Sequence, residues 1–351
     1  MNRYDELIEL LKKKILILDG AMGTMIQREN LKENDFRGEI FSKTKINLSG
    51  NNDILNITKK DVIHKIHTLY LESGADIIET NTFNSTMISQ KDYNCEEYSY
   101  ELNYQGGIIA RKAVDDYLKK NPKEQKFVAG VIGPTNRTCS MSPDVNDPGF
   151  RNISFDILLN DYENSIEALI KAKVDMIFVE TVFDTLNSKS ALMAIKNVEK
   201  KNKIKIPVMI SATITDLSGR TLSGQTVEGF YNSIVHSEPL SVGLNCALGA
   251  KELEPYLIEL NRISEVFISV HPNAGLPNAF GGYDETPQSM GKYIQEWCEN
   301  NYLNIVGGCC GTTPEHVRFM KKIVKNIKPR PFRKKTRDNQ MRLSGLEAFN
   351  F

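Results

Sequence analysis

Neither sign of charge predominates in this chain: 44 lysines and arginines face 44 aspartates and glutamates. Without a basic excess there is no strong hold on a phosphate backbone or an anionic lipid surface. That argues against nucleic acid or membrane as the main partner. Long apolar runs are missing too, and nothing approaches the roughly 20 residues that cross a bilayer. The opening Met1-Asn-Arg-Tyr-Asp-Glu-Leu7 lacks the apolar core of a secretory signal. Six cysteines in 351 residues, with no such signal, suggest reduced thiols in the cytoplasm. A glycine fingerprint for phosphate is also absent, because Gly20-Ala-Met-Gly23 after the first apolar run does not match one. This weighs against an open, doubly wound nucleotide-binding sheet.

What is present is alternation. Ile15-Leu-Ile-Leu18 is a continuous apolar run, as expected of a strand buried on both faces in a parallel sheet. Similar runs recur at Asp76–Thr80, Phe127–Ile132, Met176–Glu180, Val208–Ala212, Leu240–Asn245, Val266–Val270 and Tyr302–Val306. Helical patterns separate them, among them one opened by Thr58 and Asp61 and others near Ser154, Thr226 and Pro287. A first amphipathic helix over Tyr4–Lys13 precedes them all. Eight strand–helix units in one uninterrupted series predict an α/β fold, a single (β/α)8 TIM-type barrel over residues 1–327. At 40% apolar content the chain can fill such a core.

In such barrels chemistry collects at the C-terminal ends of the strands. Reading those ends gives Asp19, Glu79, Glu180, Asn245, Cys246, Cys309 and Cys310. Two cysteines lie in Gly307-Gly-Cys-Cys-Gly311, between a strand and a helix that starts at Thr313-Pro314. Glycines there are expected to supply positive φ and bring both sulfurs to one point. Adjacent thiols can simply sit unreactive in a tight turn. A third cysteine, Cys246, at the end of another strand points instead to a three-thiolate zinc site with one open position. Cys95, Cys139 and Cys298 have no such partners and read as structural. Three thiolates leave zinc electron-rich, a poor activator of water but suited to keeping a substrate thiol ionised and nucleophilic. Acidic residues at the ends of apolar strands are costly unless used, which singles out Asp19 and Glu180. Glu79 and Asn245 serve the substrate or the barrel mouth.

At these residues the chain resembles the zinc-dependent homocysteine S-methyltransferases. The likeness rests on Leu18-Asp-Gly-Ala-Met-Gly-Thr24, Asn245-Cys246 and Gly307–Gly311. Gly74–Phe83, Gly130–Asn136 and Gly281–Pro287 extend it. Within that family it is most similar to the homocysteine-binding module of cobalamin-dependent methionine synthases. The resemblance implies Cys246, Cys309 and Cys310 as zinc ligands, with homocysteine as the fourth. It implies Asp19 and Glu180 on the substrate ammonium, and backbone N–H groups from Gly20 and Ala21 to Gly23 on its carboxylate. It further implies methylcobalamin as donor, held by another module or chain, and methionine as product.

Residues 328–351 are expected to form a linker or tail that resembles the entry to a folate-binding module, the folate- and cobalamin-binding modules being absent from the chain. Two alternatives stay open. A free-standing methyltransferase would take its methyl group from betaine or S-methylmethionine. A non-catalytic zinc barrel would close its metal with a fourth protein ligand, His271 or His316.

Overall fold

The computed structural model describes residues 3–279, 281–333 and 341–351. Its eight parallel strands are β1 (Leu16–Ile17), β2 (Ile77–Glu79), β3 (Phe127–Ile132), β4 (Met176–Val182), β5 (Val208–Ala212), β6 (Ser241–Gly249), β7 (Phe267–Asn273) and β8 (Ile305–Val306). They pair in the order β1-β8-β7-β6-β5-β4-β3-β2. A parallel bridge between Leu18 and Ile77 brings β1 back against β2. The sheet thus curls into a nearly closed (β/α)8 barrel, as the alternation predicts.

The apolar runs serve two cores at once. Ile17, Val128, Ile132, Ile177, Val179 and Ile210 point outward and pack beneath the helices. Their neighbours Leu16, Phe127, Ala129, Val131, Met176, Phe178 and Met209 form a separate inner cluster. Two-sided burial of this kind requires unbroken hydrophobic strands. The helix Arg3–Lys13 sends Leu7 and Leu11 into the inner cluster and plugs the N-terminal mouth. Arg3 fixes the plug, its guanidinium lying 4.4 Å from the Phe127 ring centroid and 3.0 Å from Asp175. Beside it the buried Asp76 carboxylate accepts the Ile17 N–H at 3.0 Å and pairs with Lys14 and Lys321, each at 3.0 Å. With that end filled, the C-terminal face is the open end of the barrel.

Ser154 and Thr226 cap their helices through their hydroxyls, and Thr286 caps the helix that Pro287 begins. Thr58 does not act as a cap. A four-residue helix, Leu55–Thr58, comes first, so Thr58 reaches back to the Ile54 carbonyl and the next helix starts at Lys60.

The tail is more firmly attached than a solvated linker. Arg330 is 2% exposed. Its guanidinium donates to Asn261 Oδ1 at 2.7 Å, to the Ser264 carbonyl at 2.6 Å and to the Val266 carbonyl at 3.0 Å. The loop before β7 presents carbonyl oxygens that need donors, and Arg330 supplies them. Residues 334–340 of the expected linker lie outside the described residues. Beyond them β9 (Arg342–Ser344) and β10 (Ala348–Asn350) form an antiparallel hairpin. It rests on the helix Val227–Ile234 through Asn232 Nδ2 to the Leu343 carbonyl at 3.0 Å and Ser344 Oγ to the Gly229 carbonyl at 2.6 Å.

Candidate active site with a three-cysteine centre

The open end of the barrel holds a cavity of about 550 Å³. Asp19, Gly20, Ala21, Glu79, Glu180, Asn245, Cys246, Cys309 and Cys310 all line it. The structure therefore brings every residue singled out at the strand ends to one place.

Two local distortions deliver the sulfurs. Register between β6 and β7 shifts between Asn245 and Gly249, and Cys246 and Ala247 within the shift have φ of 61° and 56°. Left-handed backbone at two adjacent non-glycine residues costs on the order of 1–3 kcal/mol each. The distortion turns Cys246 inward at the barrel rim, where a regular strand would alternate it away. At the other cysteines only one of the three expected glycines has positive φ, Gly311 at 81°. Gly307 and Gly308 are instead required for space. A Cβ on Gly307 would lie 2.7 Å from Leu18 Cβ, and one on Gly308 would lie 2.4 Å from Thr312 Oγ1.

Sulfur geometry suits a metal. Cys246 Sγ and Cys310 Sγ are 3.8 Å apart, and all three sulfurs lie within 4.8 Å of one another. Tetrahedral zinc with Zn–S of about 2.3 Å places its sulfurs roughly 3.8 Å apart. Without a cation the three thiols compete for ionisation. Cys310 is lowered chiefly by the neighbouring thiols of Cys246 and Cys309, and the same contacts raise Cys309. A bound cation removes that competition, letting all three ionise.

Asn245 organises the cluster. Its Oδ1 accepts from the Thr181 N–H at 3.1 Å and from Ser211 Oγ at 2.6 Å. Its Nδ2 donates to Thr181 Oγ1 at 2.8 Å and faces Cys309 Sγ at 4.0 Å. Thr181 reaches this position at a φ of 57°, beside a register shift between β4 and β5.

Three carboxyl groups line the same cavity. Asp19 is 2% and Glu180 8% exposed. Asp19 Oδ2 accepts the Glu79 N–H at 3.1 Å, and its Oδ1 is buried with no partner. Burial, then the charge of Glu180, holds the Asp19 carboxyl well above the usual carboxylate range. Burial pushes Glu180 up to about 8, with the Cys310 thiolate adding to the effect. Glu79 is raised by burial, then by Glu180 and Asp19. An acidic wall held this far from its ordinary ionisation is set up to receive a cation.

Gly20 cannot carry a side chain, since a Cβ would sit 2.8 Å from Thr312 Oγ1. The Ala21 N–H is not free for a ligand, because it donates to Thr312 Oγ1 at 3.1 Å. The next helix, Met22–Arg28, starts without a side-chain cap, and Met22, Gly23 and Thr24 at its start line the cavity.

The two histidines divide. His316 Nδ1 meets the Thr313 N–H at 3.3 Å and its Nε2 meets the Glu285 carbonyl at 3.0 Å, so it braces a helix start. His271 lines the cavity, buried, its ring edge-on to Phe178 at 5.5 Å. Among the described residues, no histidine, aspartate or glutamate joins the three sulfurs in a ligand cluster. Cys95 and Cys298 are buried in the outer core, and Cys139 lies in the same cluster under the loop after β3. Sequence reasoning passed over Thr181 and Tyr283. Neither carries a residue-type signal: Thr181 holds Asn245 through its N–H and Oγ1, and Tyr283 lines the cavity.

Fold and site together define a (β/α)8 barrel with a three-cysteine cluster at its C-terminal face. The family model for homocysteine S-methyltransferases matches residues 16–324, and the chain belongs to that family. Among solved structures the barrel is similar to the homocysteine methyltransferase MmuM from Escherichia coli. Its oxidized form is 20% identical, with a TM-score of 0.70 over 92% of this chain and 99% of that one. Its metallated form is 22% identical, with a TM-score of 0.66 over 92% and 99%. At these identities the likeness is one of fold.

Proposed function

We propose that the chain binds homocysteine at a zinc ion held by Cys246, Cys309 and Cys310, and transfers a methyl group to the substrate sulfur. The observation that carries this reading is the cluster of three sulfurs in the same cavity as the buried, unpartnered Asp19 Oδ1, in a family member. Zinc in such a centre would keep the substrate thiol ionised at neutral pH and nucleophilic. Asp19 and Glu180 hold the ammonium, with Glu79 behind them, and Gly20 with the first N–H groups of the following helix receives the carboxylate. The sulfur is thereby aimed at the cysteines while the cavity mouth stays open to the donor.

Two donors have support. The match spans 99% of the MmuM chain, which favours a barrel that acts alone on a small donor such as S-methylmethionine or betaine. The resemblance of the tail to the entry of a folate-binding module, and its ordered hairpin, favour methylcobalamin carried by a further module or chain. Turnover with each donor separately decides between them. X-ray absorption tests the shared premise: adding homocysteine should raise the zinc sulfur shell from three to four. A shell that does not change rejects substrate binding at the metal. A non-catalytic zinc barrel is disfavoured because no histidine, aspartate or glutamate among the described residues stands ready as fourth ligand.

A further inference from the structure

Homocysteine on the proposed centre would be held at two points. Its amino and carboxyl groups meet Asp19 and the start of the helix Met22–Arg28, whereas its sulfur meets the cysteines. The turn Asp19–Thr24 follows β1 and the turn Gly307–Thr312 follows β8, so the two points belong to opposite ends of the chain. The ladder between those strands pairs only Leu16 with Ile305 and Ile17 with Val306. It is carried a little further by the Leu18 N–H on the Val306 carbonyl at 2.9 Å and the Gly308 N–H on the Asp19 carbonyl at 3.1 Å. Beyond Gly308 both segments leave the sheet, and other bonds must fix the distance between them.

Thr312, fully buried, supplies them. Its Oγ1 accepts the Ala21 N–H at 3.1 Å and donates to the Cys309 carbonyl at 2.7 Å. One hydroxyl therefore joins the residue two after Asp19 to a cysteine of the cluster. Glycines on both turns make room for it. A Cβ would lie 2.8 Å from this oxygen at Gly20 and 2.4 Å from it at Gly308. A second bond runs beside the first, from the Gly311 N–H to Thr24 Oγ1 at 3.0 Å. The hydroxyl of the buried Tyr70 donates to the Ala21 carbonyl at 3.0 Å. Ala21 is thus held by both its N–H and its carbonyl, and neither turn can move toward the other without disturbing these bonds.

We infer that Thr312, with Thr24 beside it, is a positioning residue that fixes the gap between the two turns and so selects homocysteine over cysteine, which is one methylene shorter. The inference rests on the homocysteine reading above. With the two ends of the substrate read by separate turns, a shorter aminothiol reaches only one of them unless the turns approach each other. A missing methylene costs roughly 10- to 200-fold in a pocket that does not adapt. The bonds through Thr312 and Thr24 oppose adaptation. What they add to the discrimination is limited to their own worth, since a ligand that gains more by moving the turns will break them.

The test measures Kd for homocysteine and for cysteine by calorimetry on the zinc-loaded full chain, with metal analysis of every sample. The unsubstituted protein should prefer homocysteine by roughly tenfold or more. Thr312→Val should narrow that preference by about 2- to 13-fold, the worth of one neutral hydrogen bond. Thr24→Val, which leaves the cysteine turn's own residues untouched, should narrow it in the same direction. Thr312→Ser keeps the hydroxyl and should keep the parental ratio. Equal weakening of both thiols in zinc-replete Thr312→Val, with the ratio unchanged, makes Thr312 a brace of the fold and overturns the inference. An unsubstituted chain that binds both thiols alike overturns it too. A zinc-loaded chain that binds neither thiol would instead reject the homocysteine reading itself.

Discussion

Replacing Asp19 by asparagine separates binding from stability. The carboxyl is 2% exposed, one oxygen is held by the Glu79 N–H, and the other has no partner. In the empty site this group is a burden on the fold. Its folded pKa lies above its unfolded value, so the folded state binds more protons than the unfolded one once pH passes the unfolded pKa near 4. Stability therefore falls from there upward until the folded pKa is passed. An amide in its place has no such proton to lose, so Asp19→Asn should melt no lower than the parent at pH 7, and its advantage should vanish below about pH 4. Homocysteine should bind more weakly, because a charge-assisted hydrogen bond to the ammonium is lost. That loss is worth roughly 1.5–3 kcal/mol, or about 10- to 150-fold in Kd. Thermal melts across pH give the first quantity and calorimetric titration the second. A thiol without an amino group should bind both proteins equally. If the variant melts lower at pH 7 and the simple thiol suffers as much as homocysteine, Asp19 braces the barrel and the ammonium assignment fails.

Serine at Cys246, Cys309 or Cys310 should remove most bound zinc, as measured by metal analysis, whereas serine at Cys95 or Cys298, buried in the outer core, should leave zinc stoichiometry unchanged. Full zinc retention in the Cys309 variant would count against the cluster. Asp76→Ala should destabilise the barrel by about 1–3 kcal/mol in denaturant unfolding, because it leaves the buried Ile17 N–H without its acceptor and takes the partner from the half-exposed amines of Lys14 and Lys321. Asp76 is held below its ordinary value, against the opposing effect of burial, by Lys321, Lys14 and Lys126. The parent's advantage should thus be full above the unfolded pKa near 4 and be lost as pH falls through the folded value. An advantage that persists undiminished at pH 2 would show that the lysines do not hold this carboxylate.

Much of this protein is legible one residue at a time. Continuous apolar runs such as Phe127–Ile132 can only be two-sided strands, and eight of them alternating with helices leave a barrel as the economical closure. Once the barrel is known, strand ends are candidate-site positions, so Asp19, Glu180, Cys246, Cys309 and Cys310, which the structure gathers around one cavity, could be chosen from sequence. Tertiary structure decided what depends on backbone paths meeting from distant parts of the chain. Gly307 and Gly308 exist for contacts with Leu18 and Thr312, which no local pattern reveals. The Ala21 N–H belongs to Thr312, 291 residues away. Arg330, within the stretch read as a linker or tail, is buried because its guanidinium donates to three acceptors just before β7. Residue types fixed which groups could do chemistry. Register shifts at Thr181 and Cys246, strained and invisible to periodicity, fixed which of them meet.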